Sequence, residues 1–222
     1  MTQVVPAIIP KTKEQFTNEI DLVSSFSNLI QIDISDGVFT RFKTWPYNDY
    51  DHDSFERMRA EEEGWPKWET IDYEIHLMVM KPEDIVLDWI RTGISSVVAH
   101  IEATDDFQKV IDICREHNVS IWVAIKPGTD ISRIEPFVSQ VAGIQCMGSD
   151  LLGKHGVELE DKAVEQIKKL HQMYPDSIIG IDIGVTLETK EILLEAGATK
   201  FISGSEILDA ENPREVYEEL LS

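Results

Sequence analysis

Eight short runs of branched and apolar residues recur along this chain, at 4–9, 29–34, 72–77, 96–101, 120–125, 143–147, 177–182 and 200–203. No other feature limits the available folds as much. Between and after these runs, apolar residues fall at helical spacing over 13–26, 82–92, 106–117, 131–138, 161–174, 187–196 and 212–221. Strands that read as continuous apolar runs belong to parallel sheets covered by their crossover helices. Pro82 followed by Glu83 and Asp84 suits a helix start, while Gly93 and Gly197 suit helix ends. No Gly-x-Gly-x-x-Gly follows the first run, so the usual mark of an open dinucleotide-binding sheet is missing. Eight strand–helix units in 222 residues with 42% hydrophobic composition therefore predict an α/β fold of one domain, a closed (β/α)8 TIM barrel over 1–222.

Three runs carry polar residues on one parity. Leu29-Ile30-Gln31-Ile32-Asp33-Ile34-Ser35-Asp36-Gly37 alternates isoleucine with polar residues, and Tyr73-Glu74-Ile75-His76-Leu77 and Ile179-Gly180-Ile181-Asp182-Ile183 repeat the design. Successive strand side chains point to opposite faces, so Asp33, His76 and Asp182 share one side, and a ring of strands gathers them in one mouth. Turn chemistry accounts for Asp36 before Gly37. His100 and Glu102 take the inward parity of the fourth run and read as interior polar groups.

The second and third runs are separated by an unusually long segment, 38–70, rich in aromatic residues: Phe39, Phe42, Trp45, Tyr47, Tyr50, Phe55, Trp65 and Trp68. A short acidic helix over 54–63 is expected inside it. The segment follows the end of a barrel strand where active-site loops lie, so it reads either as a lid or subunit contact, or as a loop packed on its own scaffold. Asp51-His52-Asp53 is not read as a metal cluster, because adjacent positions seldom converge on one ion.

A net charge of −21 excludes nucleic acid and anionic membrane surfaces as partners, since both demand clustered Lys and Arg. A small anionic substrate would rest mainly on backbone N–H groups. No secretory signal or membrane span precedes the first run, and the protein is expected in the cytoplasm. Cys114 and Cys146 have neither metal-site spacing nor disulfide density and are expected to be buried structural thiols.

Taken in order, several motifs resemble the ribulose-phosphate 3-epimerase family. Pro6-Ala7-Ile8-Ile9 is similar to its Pro-Ser-Ile-Leu, and Gln31 to Gly37 to its His-x-Asp-x-Met-Asp-Gly. His76-Leu77-Met78 matches His-Leu-Met, His100-Ile101-Glu102 fits His-x-Glu, and Lys126-Pro127-Gly128-Thr129 resembles Asn-Pro-Gly/Ala-Thr. Cys146-Met147, Asp182-Ile183-Gly184-Val185 and Gly204-Ser205-Glu206-Ile207 resemble Val-Met, Asp-Gly-Gly-Ile and Gly-Ser-Ala-Ile. The match runs from Pro6 to about Ile207.

The resemblance implies Asp33 and Asp182 as the two catalytic carboxyl groups, on opposite faces of a sugar phosphate. It implies a divalent metal ion (zinc, iron, manganese or magnesium) on Asp33, His76, Asp182 and position 31, where Gln31 replaces the family's histidine. An amide oxygen is a poorer ligand than imidazole for zinc or iron and favours a harder ion. Substrate-binding positions carried over are Ala7, Met78, Met147, Gly153, Gly156, Gly184, Gly204 and Ser205. Ala7 stands where the family has serine, Ser35 where it has a methionine, and 151–157 has lost the proline of the family's phosphate loop. Lys154 and His155 either meet a phosphate or are solvated. The implied activity is interconversion of D-ribulose 5-phosphate and D-xylulose 5-phosphate by a homo-oligomer. The alternative is a barrel that binds sugar phosphates and has lost this reaction.

Overall fold

The computed structural model describes residues 2–48, 52–154 and 156–222. Among them, eight parallel strands pair in sequence order and close on themselves: β1 (Gln3–Ile8), β2 (Leu29–Ser35), β3 (Asp72–Met78), β4 (Ser96–His100), β5 (Ser120–Ile125), β6 (Gly143–Met147), β7 (Ile179–Asp182) and β8 (Lys200–Ser203). The helices are α1 (Lys13–Val23), α2 (His52–Arg59), α3 (Val86–Ile90), α4 (Phe107–Glu116), α5 (Asp161–Met173), α6 (Lys190–Ala196), α7 (Ser205–Leu208) and α8 (Pro213–Leu221). From the segment between β2 and β3, Trp45 and Met58 are buried in the main core, with Tyr47 and Phe55 packed against it. None of these helices is long and apolar enough to cross a membrane.

Strand parity divides the interior in two. Ile30, Ile32 and Ile34 of β2, Ile75 and Leu77 of β3, and Ile179 and Ile181 of β7 face outward into a core with Ile20 of α1, Trp89 of α3, Ile111 of α4 and Ile167 of α5. Cys114 and Cys146 belong to this layer, and burial alone pushes the Cys114 thiol up to about 12. The opposite parity fills the lumen, where Val5, Ala7 and Ile202 form one cluster and Val98, Trp122 and Ala124 another.

Near its N-terminal end the lumen holds an ion pair that strand periodicity alone did not disclose. Lys200 Nζ lies 2.7 Å from both Glu74 oxygens, with both residues 1% exposed. Ser96 Oγ donates to Glu74 Oε2 at 2.9 Å, and the ammonium sits 3.8 Å from the Trp122 ring centroid. The ring leaves no room opposite: a Cβ on Gly143 would come within 2.2 Å of Trp122 Cζ3. Such a pair offsets its desolvation only when the remaining lone pairs and protons are matched, as they are here.

Two expected helices differ in detail. Residues 131–138 form no α-helix but two 3-10 turns, Ile131–Arg133 and Val138–Gln140. Pro136 explains the break, since it lacks a donor and disfavours helical backbone at Glu135. The helix expected over 82–92 divides into a 3-10 turn, Pro82–Asp84, and α3, with Ile85 between them at φ −123°. In the long β2–α2 segment, Trp45 packs against Phe16, Phe55, Trp65 and Trp89, and Trp65 stacks on Tyr73 at 4.7 Å. These rings fasten the loop to α1, α2, α3 and β3, whereas Phe42 and Trp68 are exposed. Tyr50 and Asp51 lie outside the described residues.

Candidate active site

Closure of the barrel brings together the ends of β2, β3 and β7. Asp33 and His76 are register partners on adjacent strands. His76 Nδ1 lies 3.1 Å from Asp33 Oδ1 and 3.4 Å from Asp182 Oδ2. Donor atoms of these three residues all lie within 4.8 Å of one another, and all three side chains are buried. Gln31, one pleat below, donates Nε2 to Asp33 Oδ1 at 3.1 Å, while its Oε1 is buried with no partner among the described residues.

Two carboxyl groups in so small a space cannot both ionise freely. Burial, followed by the charge on Asp33, raises the Asp182 carboxyl to about 7 against the opposing pull of His76. Burial also works against a charge on His76, but the hydrogen bond and charge of Asp33 and the charge of Asp182 outweigh it and raise its pKa. Asp182 therefore retains a proton near neutrality, and a divalent cation would displace the hydrogen from His76 Nδ1. One imidazole nitrogen, two carboxylates and the unpartnered Gln31 oxygen are a donor set that fits such an ion, on the oxygen-favouring side of the series.

Behind His76 lies a second imidazole. His76 Nε2 is 3.0 Å from His100 Nε2, and His100 Nδ1 is 3.2 Å from Glu102 Oε2. Burial lowers His100 to about 4. Burial opposes ionisation of Glu102, yet its hydrogen bonds with His100, Thr129 and the Lys126 N–H hold it at about 2. Phe39 lies against His100, ring centroids 4.8 Å apart, and Lys126 Nζ is 4.0 Å from the Phe39 ring centroid.

Above the cluster opens a cavity of about 560 Å³ bordered by Asp33 and Asp182. Ala7, Met78, Met147, Gly153, Gly156, Gly184, Gly204 and Ser205 all border it too, whereas Gln31 and His76 do not. Leu152, which strand periodicity did not reach, packs on Met78 and Met147; its signal was the apolar Leu151-Leu152 pair in an otherwise glycine-rich loop. Lys154 borders the cavity together with Glu158, Glu188 and Glu206, and His155 lies outside the described residues. Asp36 ties two loops, accepting from the Val38 and Phe39 N–H groups and from that of Met80. After Asp182 the backbone turns left-handed, with Ile183 at φ 78° and Gly184 at φ 73°. A β-branched residue is strained there, so the packing around the strand end must hold it. At Gly184 a Cβ would lie 2.7 Å from Leu159.

The sequence profile of the ribulose-phosphate 3 epimerase family matches residues 3–208. The ribulose-phosphate 3-epimerase of Schizosaccharomyces pombe is 28% identical over 144 residues, covering 65% of this chain and 63% of that protein. The chain thus aligns with less than two thirds of that relative, and with 59% of the Candida glabrata ribulose-phosphate 3-epimerase. The Bacillus subtilis ribulose-phosphate 3-epimerase is 24% identical over 226 residues, covering 99% of this chain and 98% of its own. Among solved structures, 3-hexulose-6-phosphate synthase from Salmonella typhimurium superposes with a TM-score of 0.71 at 15% identity, over 99% of this chain and 96% of that one, a likeness of fold.

The raised Asp182 pKa has a thermodynamic consequence. A carboxyl that titrates at about 7 when folded, against an ordinary aspartate value of 3.8, stabilises the fold fully below the lower value and ceases to as pH rises through the higher one. In urea unfolding with a chelator present, Asp182→Asn should gain stability relative to the unmodified protein as pH rises from about 4 to about 7, and no further beyond. A pH-independent difference between the two would show that Asp182 carries no such proton.

Proposed function

The chain belongs to the ribulose-phosphate 3 epimerase family, and on that footing we propose that it interconverts D-ribulose 5-phosphate and D-xylulose 5-phosphate by proton transfer at C3 between Asp33 and Asp182. The observation that carries this reading is the pair of buried carboxyl groups at one end of a single cavity, one of them able to hold a proton near neutrality. Epimerisation needs a base to take the C3 proton and an acid to return one to the opposite face. In one direction Asp33 accepts the proton as the C3–H electron pair moves into an enediolate with the C2 carbonyl, and Asp182 delivers its proton to C3 from the other side. The reverse reaction exchanges the roles.

Asp33, His76, Asp182 and the Gln31 amide oxygen would hold a divalent cation, which supplies Lewis-acid stabilisation of charge developing on the substrate oxygens. Met78 and Met147, backed by Leu152, give one flank of the cavity an apolar, polarizable surface that would keep water from the reacting carbon. The phosphate would meet backbone N–H groups around Gly184, Gly204 and Ser205, helped by Lys154, because the other charged side chains bordering that part of the cavity are acidic. The replacements at Gln31, Ala7 and Ser35 favour a second reading, a barrel that binds a sugar phosphate without converting it.

With manganese present, NMR of ribulose 5-phosphate incubated with the protein should register growth of xylulose 5-phosphate. Asp33→Asn and Asp182→Asn should each slow it by about 100-fold or more, the usual range for loss of a general acid or base, while phosphate-ester binding persists. Binding without conversion by the unmodified protein would replace this reading with the second. For position 31, Gln31→His should tighten zinc binding by about tenfold or more, since imidazole outranks an amide oxygen for this ion. Unchanged zinc affinity would remove residue 31 from the ligand set.

A further inference from the structure

Of two neutral-capable imidazoles in line, only one can supply the proton between them. His76 Nε2 and His100 Nε2 stand 3.0 Å apart, so one carries N–H and the other offers a lone pair. The far end of the chain decides which. Glu102 Oε1 already accepts from the Lys126 N–H at 2.8 Å and from Thr129 Oγ1. Its other oxygen, Oε2, lies 3.2 Å from His100 Nδ1. A carboxylate only accepts, so His100 Nδ1 bears the hydrogen. His76 turns Nδ1 toward Asp33 and Asp182, at 3.1 and 3.4 Å, so an ion held there would take the lone pair of that nitrogen, which leaves the hydrogen on Nε2 to be donated to a bare His100 Nε2.

We propose that Glu102 and His100 are positioning residues that fix the tautomer of His76 and so aim its Nδ1 lone pair at Asp33 and Asp182. That nitrogen lies 3.1 and 3.4 Å from the two carboxyl groups, so a proton occupies the space between them until a cation takes its place. The chain would thus keep the cluster primed for a cation, and it rests on the reading of Asp33, His76 and Asp182 as a cation site. Glu102 is itself fastened from behind: Gln166 Nε2 donates to the carbonyls of Lys126 and Thr129, both at 3.1 Å, holding the turn that supplies its partners. Partners of this kind, one step removed from a ligand, set the orientation and tautomer of metal-binding imidazoles.

The near-isosteric Glu102→Gln separates positioning from scaffolding, because its amide N–H can donate to His100 Nδ1, reverse the proton order and leave a hydrogen on His76 Nδ1. Manganese alone, titrated into each protein and followed by the paramagnetic resonance of the free ion, should bind Glu102→Gln about 10- to 100-fold more weakly. Histidine 15N spectra of the metal-free unmodified protein, with His100 assigned by its loss in His100→Gln, should give a protonated Nδ1 and a bare Nε2. A hydrogen on His100 Nε2, or unmodified manganese affinity in folded Glu102→Gln, would overturn the proposal. If Glu102→Gln does not fold, the His100 tautomer decides alone. Failure of the unmodified protein to bind manganese would instead sink the cation-site reading, and the same tautomer measurement would still decide whether the relay exists.

Discussion

Alternation along a parallel strand is the constraint on which the rest of this structure depends. Each strand sends successive side chains to opposite faces, and closure of eight strands turns one face into a shared lumen. A residue with inward parity near a strand's C-terminal end then has few places to go. Asp33 and His76 come from neighbouring strands and Asp182 from one far along the chain, yet their donor atoms lie within 4.8 Å of one another. The outward parity does the complementary work, because Ile32, Ile75 and Ile181 beside them anchor the same strands in the helix-covered core. A one-residue slip would exchange the two sets and lose both.

The lumen is electrostatically uneven along its axis. At its N-terminal end Glu74 is matched by Lys200, with Ser96 and Trp122 completing the surroundings of the pair. Toward the mouth, Asp33 and Asp182 meet the imidazole of His76, with the Gln31 amide on Asp33 and the Ile183 N–H on Asp182, and no side-chain cation is matched to them among the described residues. The excess negative charge is met by raising the Asp182 carboxyl to about 7. That imbalance is what makes the mouth chemically useful: a carboxyl that gains and loses a proton near neutrality beside another carboxyl is the minimal equipment for proton transfer at a carbon.

Much of this was legible in the residues, and the reason is periodicity. Strand parity announced the convergence of Asp33, His76 and Asp182, and the eight runs with their intervening helices announced the barrel. What escaped has a common cause, since it depends on which distant residues meet. Glu74 and Lys200 are 126 positions apart and carry no local signature. His100 and Glu102 were visible as inward polar residues, but their line to His76 depends on the β3–β4 register and on the turn at Lys126–Thr129. Ile183 in a left-handed conformation contradicts the preference of its side chain, so only the fold could reveal it. The aromatic segment was read two ways, and the contacts of Trp45, Phe55 and Trp65 attach it to its own scaffold. The helix expected over 131–138 failed for a local reason, Pro136.

Solvent deuterium is the most direct probe of proton exchange between C3 and the Asp33–Asp182 pair. A carboxylic acid that delivers the proton equilibrates with water before it does so. In heavy water, with manganese present, xylulose 5-phosphate formed from ribulose 5-phosphate should carry deuterium at C3, seen as loss of that proton resonance, and the label should vanish in Asp182→Asn. Product that keeps its original hydrogen at C3, or substrate recovered without label or conversion, would contradict the two-carboxylate mechanism.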